Sequence, residues 1–110
     1  MTKEYDPNDA IDFIFKNAPL YAQAKGELAE LETYKSSLKA IKMKQSSEQS
    51  LGAQEREAYA SREYQELCGA IGAATERAEA LRWQLEAAKM RFQAWQTQSA
   101  NERQLDRMVK

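Results

Sequence analysis

Residues 60–95 read ASREYQELCGAIGAATERAEALRWQLEAAKMRFQAW, a single unbroken heptad pattern. With Tyr64 at an a position, Ile71, Ala78, Leu85 and Phe92 follow at a, while Ala60, Leu67, Ala74, Leu81, Ala88 and Trp95 fall at d. No charged residue stands on that seam. An apolar repeat of about 3.5 residues, sustained this long, belongs to a helix that supercoils against another helix. Ala74, Ala78 and Ala88 permit close approach opposite larger side chains.

The rest of the 110-residue chain agrees with one all-α domain, since four glycines and two prolines are too few turn formers for a sheet. Hydrophobic residues make up 43% of it, but many are alanines, so a lone copy buries little apolar surface and profits from a partner. The formal charge of -1 selects no partner class; its distribution says more. Residues 1–34 hold three lysines against seven acids, and residues 35–75 hold six bases against five acids.

Chemistry-bearing residues are scarce. There is no histidine, which removes the commonest general base and zinc ligand, and no acid pair has a recognisable metal spacing. The reading is therefore no catalytic residue, no cofactor-binding residue, no metal site and no enzyme. Cys68 is the only cysteine, so no intrachain disulfide forms, and it reads as a small apolar packing residue beside the seam. Gly69-Ala70-Ile71-Gly72 superficially matches a GxxG loop, but the heptad passes through it unbroken and no strand precedes it. Small residues allowing close helix packing are the reading adopted. The start, Met1-Thr2-Lys3-Glu4-Tyr5-Asp6, is polar and acidic where a secretory signal is basic and then apolar. With no apolar run of membrane-spanning length, no membrane contact and a cytoplasmic location are expected.

Outward from the seam, Asp6-Pro7-Asn8-Asp9 marks a helix start: Asp6 caps, Pro7 takes the first helical position and Asp9 complements the dipole. A short acidic helix is expected within residues 1–17, ending near Lys16, with Ile11, Phe13, Ile14 and Phe15 crowded along it. Asn17 to Pro19 breaks the pattern. Pro19 then begins a second helix over 19–44, with Tyr21, Ala24, Leu28, Leu31, Leu38 and Ile41 roughly along one side and Lys35 and Lys42 interrupting it. Residues 45–52 are polar and reverse the chain. Ser50 caps a long heptad helix over 53–108, in which Gly69 and Gly72 are the candidate kinks. The fold expected is thus a short N-terminal helix followed by an antiparallel hairpin with a long C-terminal coiled-coil helix.

A second helix of about 40 Å cannot cover a third of about 80 Å. Leu81, Leu85, Ala88, Phe92 and Trp95 outlast the hairpin, and covering them calls for the first helix or, more completely, a second subunit, so a homo-oligomer is expected.

Two surfaces are candidates for contact. Asp9, Asp12, Phe13, Phe15 and Trp83 form a protein-contact set: acids and aromatics on the first helix, which serve as an anchor into a basic partner groove, and a tryptophan off the seam. Lys35, Lys39 and Lys42 share a face within the acid-free stretch 33–47 and form a phosphate-contact set, capable of weak, salt-dependent nucleic-acid binding. The C-terminal third interleaves Arg82, Lys89, Arg91, Arg103, Arg107 and Lys110 with aromatics, but Phe92 and Trp95 belong to the seam.

At Ala58-Tyr59-Ala60-Ser61, Leu81-Arg82-Trp83, Glu86-Ala87-Ala88-Lys89 and Trp95-Gln96-Thr97-Gln98-Ser99-Ala100-Asn101-Glu102-Arg103 the chain resembles a group of small, uncharacterised helical proteins of tailed bacteriophages and prophages. The resemblance covers about the last half of the chain. It implies a short helical protein in a bacterial host cell, encoded near recombination or replication genes. Together these readings point to a non-enzymatic interaction protein that binds a host or phage protein of DNA metabolism or defence. The alternative is a recombination or replication accessory protein that binds DNA non-specifically.

Overall fold

The computed structural model describes residues 4–109. Met1, Thr2, Lys3 and Lys110, which entered the readings of the polar start and the C-terminal cations, lie outside the described residues. Three helices, α1 (Pro7–Gln45), α2 (Leu51–Ala60) and α3 (Arg62–Val109), account for the described chain without a strand. They build two compact units, one from residues 4–21 and 80–109, the other from Ala22–Glu79.

The start of α1 follows from its sequence. The Asp6 carboxylate accepts the Asn8 N–H at 2.9 Å, the Asp6 carbonyl accepts the Asp9 N–H at 3.1 Å, and Pro7 occupies the first helical position. The break expected at 17–19 is absent, because Pro19 lies inside a continuous α1. A proline inside a helix costs about 3 kcal/mol through a lost hydrogen bond and a clash with the carbonyl four residues back. That carbonyl belongs to Phe15, and Phe15 and Pro19 are both exposed. Asn17 adds a local brace, its side-chain amide donating to the Phe13 carbonyl at 2.8 Å. Packing offsets the rest of the cost. Ala10, Ile14, Asn17 and Tyr21 are buried or half-buried in the first unit, as are Ala24, Leu28, Leu31, Lys35, Leu38 and Lys42 in the second. These positions alternate by four and three, the spacing of a heptad seam. Lys35 and Lys42 therefore occupy seam positions instead of interrupting them, and Ile41 points away, 45% exposed.

In the second unit α1 runs antiparallel to α2 and α3: Lys42 pairs with Glu63 at 3.0 Å and Glu27 with Arg77 at 3.1 Å. Leu38, Tyr64 and Leu67 form its buried centre, with Leu31, Cys68 and Ile71 packed against them. The reversal is held by side chains. Ser50 caps α2 by accepting the Ala53 N–H at 3.1 Å, the Ser46 hydroxyl donates to Glu57 at 2.7 Å, and the Gln54 amide donates to the Glu48 carbonyl at 2.9 Å.

The long helix expected over 53–108 is divided at Ser61, not at Gly69 or Gly72. Ser61 has an extended ψ of 146°; its hydroxyl donates to the Ala58 carbonyl at 2.7 Å and accepts the Tyr64 N–H at 3.3 Å, closing α2 and opening α3 with one side chain. The seam shifts accordingly. Ala60 is exposed and Ala58 is buried in its place, whereas from Tyr64 onward the a and d residues of α3 are buried or half-buried as far as Trp95.

In the first unit Leu81, Leu85, Ala88, Phe92 and Trp95 are half-buried without a second subunit, because the start of α1 belongs to the same unit. The Tyr5 and Trp95 rings lie 6.5 Å apart, and Phe92 is 5.9 Å from Trp95. The overhang that called for an oligomer is thus covered within the chain. Residues 100–109 are exposed throughout, including Leu105, Met108 and Val109.

Gly69 and Gly72 do not permit close packing either: both are exposed, neither has a positive φ, and a Cβ added at either meets nothing within 4 Å. Replacing each with alanine is expected to raise unfolding stability by about 0.5–1 kcal/mol in urea titrations, through helix propensity alone. A loss of stability in either variant would restore a packing role.

Candidate functional site

Along α1, Asp6, Asp9, Ala10 and Phe13 are spaced by three or four residues and so share one side of the helix. Gln84, Ala87, Ala88 and Arg91 do the same on α3. Between these two sides, all within the first unit, lies a groove of about 610 Å³, open to solvent, with Glu4 and Tyr5 at its margin. Its floor is low because Ala10, Ala87 and Ala88 end at Cβ. Phe13, 37% exposed, and Tyr5 supply aromatic walls. Glu4, Asp6 and Asp9 are exposed around the mouth, whereas the one cation among the described lining residues, Arg91, lies 5.1 Å from the Tyr5 ring centroid. The Tyr5 hydroxyl is buried and has no hydrogen-bond partner among the described residues. Leaving such a group unsatisfied costs roughly 1–3 kcal/mol.

The protein-contact set read from sequence is divided by this geometry. Asp9 and Phe13 meet in the groove. Asp12, Phe15 and Trp83 do not line it: Asp12 is exposed, Phe15 is 77% exposed, and Trp83 is exposed with the Arg82 guanidinium 4.6 Å from its ring. Tyr5, Ala10, Gln84, Ala87 and Arg91 were missed. The signal for Ala10 was present in the four-and-three alternation from Ala10 to Tyr21, once Asn17 is allowed a seam position.

The phosphate-contact set is engaged inside the second unit. Lys39 Nζ lies 2.8 Å from Glu55 and 4.7 Å from the Tyr59 ring centroid, and the Tyr59 hydroxyl donates to the same carboxylate at 3.1 Å. Lys42 pairs with Glu63, and Lys35 lies 5.9 Å from the Tyr64 ring centroid. All three are half-buried along the hairpin, so they do not form a solvent-facing cationic strip.

These contacts hold the ionised forms. Hydrogen bonds to Glu55 and then to Tyr59 raise Lys39 above its ordinary 10.5, and the bond from Lys39, then that from Tyr59, lowers Glu55 below its ordinary 4.5. Glu63 is lowered by its own backbone N–H first and by Lys42 second. Water screens all of these pairs, so their contribution to stability is modest.

Among the described residues no group of three or more His, Cys, Asp and Glu side chains is placed to hold a metal ion, and no helix is long and apolar enough to cross a membrane. Compared with family models, with known proteins and with solved structures, the chain matches none.

The lowered carboxyls contribute stability that is present above pH 4.5 and lost as pH falls through their depressed values; the raised Lys39 contributes stability that is present below pH 10.5 and lost as pH rises further. The thermal midpoint followed by circular dichroism should therefore be flat across neutral pH and fall in acid. Glu55→Gln should lower the midpoint more at pH 7 than at pH 3. Equal losses at both values would show that the pair contributes nothing as an ion pair.

Proposed function

We propose that this chain is a non-enzymatic helical interaction protein of a phage or prophage, acting in the bacterial cytoplasm on a host or phage protein of DNA metabolism or defence. One observation carries the interaction: a groove with an alanine floor, aromatic walls and an acidic mouth. Shape of this kind suits a protein segment, since apolar area supplies affinity and the surrounding charge selects the partner. The phage setting rests on the resemblance at 58–61 and 81–103.

The accessory reading loses its strongest residues. Lys35, Lys39 and Lys42 make contacts within the chain, and the acidic groove repels phosphate, so DNA binding is expected to be weak and to disappear with salt.

Tagged protein recovered from infected or lysogenic cells should carry a partner that survives nuclease treatment, and Phe13→Ala together with Asp9→Lys should reduce its recovery about tenfold, equivalent to about 1.4 kcal/mol. Recovery that depends wholly on nucleic acid would replace this function with the accessory one.

A further inference from the structure

We infer that the groove between Asp6–Asp9–Phe13 and Gln84–Ala87–Arg91 receives one amphipathic helix of a partner protein, carrying bulky aliphatic anchors on one face and arginines or lysines beside them. This deepens the proposed interaction function and rests on it. From Asp6 to Phe13, and again from Gln84 to Arg91, each wall extends about 10 Å, or two helical turns. That length admits anchors at i, i+3 or i+4, and i+7 of an incoming helix.

The chemistry of the occupant follows from what lines the groove. Where Ala10, Ala87 and Ala88 end at Cβ, leucine, methionine or phenylalanine side chains find room that alanines would leave empty. Among the described residues that line the groove, Glu4, Asp6 and Asp9 set three negative charges and Arg91, beside the Tyr5 ring, one positive charge, so the surplus charge is negative. A cationic helix is attracted and an acidic one is repelled.

A second copy of this chain fits less well. Its exposed end, residues 101–109, presents Leu105 and Met108, but Glu102 and Asp106 cancel Arg103 and Arg107. With Lys110, the next residue, as its one surplus side-chain charge, that segment gains little from the acidic mouth.

Two fluorescein-labelled synthetic helices of roughly four turns test the assignment. They share leucine anchors and differ only in arginine or glutamate at the flanking positions. Titrated with the full chain and read by fluorescence anisotropy, the arginine helix should bind, and the glutamate helix should bind about tenfold or more weakly. Asp6→Asn with Asp9→Asn should weaken the arginine helix similarly; asparagine caps helices as well as aspartate does, so α1 remains. Ala87→Trp should abolish binding by filling the groove, with circular dichroism reporting whether the variant is folded. If that variant does not fold, the asparagine pair decides. Equal binding of both helices, or no binding of either, overturns the assignment. So does self-association that is lost when residues 101–109 are removed and whose loss opens the groove, since the occupant is then a second copy. Should the synthetic helices fail while the cellular partner is still recovered with Ala87→Trp, the groove is refuted and the interaction function stands; if no partner is recovered at all, the interaction function fails first.

Discussion

Continuity of α1 through Pro19 is the constraint on which the other features depend. Were the helix to end near Lys16, the first segment would be too short to hold itself together in water. Its acids and aromatics would then need some other support. Because α1 does not end there, Tyr5, Ala10 and Ile14 sit in one compact unit with Leu81, Leu85 and Trp95, and the seam residues of that part of α3 are half-buried within the chain. The groove is a by-product of that coverage. Two helix sides meet where their facing residues happen to be alanines.

The α3 seam was legible because every a and d residue from Tyr64 to Trp95 is apolar. The α1 seam was hidden because Asn17, Lys35 and Lys42 stand on it. A lysine at such a position lays its methylenes along the partner helix and carries its ammonium to the edge, where Glu63 receives Lys42. Polar residue type alone therefore hid a regular spacing. Ser61 was hidden for a different reason: a serine within a helical pattern looks neutral until its hydroxyl is seen to serve the end of one helix and the start of the next. As for the groove, Asp9 and Phe13 were legible as an acid beside an aromatic. Ala10, Ala87 and Ala88 were not, since a concavity is made by side-chain volume that is missing, and single alanines carry no sign of it.

Charge is sorted between the two units in a way that composition conceals. In Ala22–Glu79 cations lie along the hairpin with carboxylates and tyrosine rings to meet them, so opposite charges are satisfied locally. In the other unit Glu4, Asp6 and Asp9 gather at one mouth against one arginine among the described lining residues. Counted over the sequence, residues 22–79 hold eight bases against ten acids and the rest of the chain eight against seven, so the acidic mouth is a local imbalance and not the sign of its whole unit.

The joint at Ser61 bears on how this sequence can change over generations. Within α3 the loss of a single residue would rotate everything after it by about 100° and turn the apolar seam toward water. In α2 the same deletion stops at the joint, where an extended residue already separates one helical phase from the next. A change of length within the ten residues of Leu51–Ala60 would therefore move Ala58 and the Glu55 and Tyr59 partners of Lys39 while leaving the register of α3 intact. The joint acts as a mutational firewall between a short cap and a stretch whose seam fixes its length.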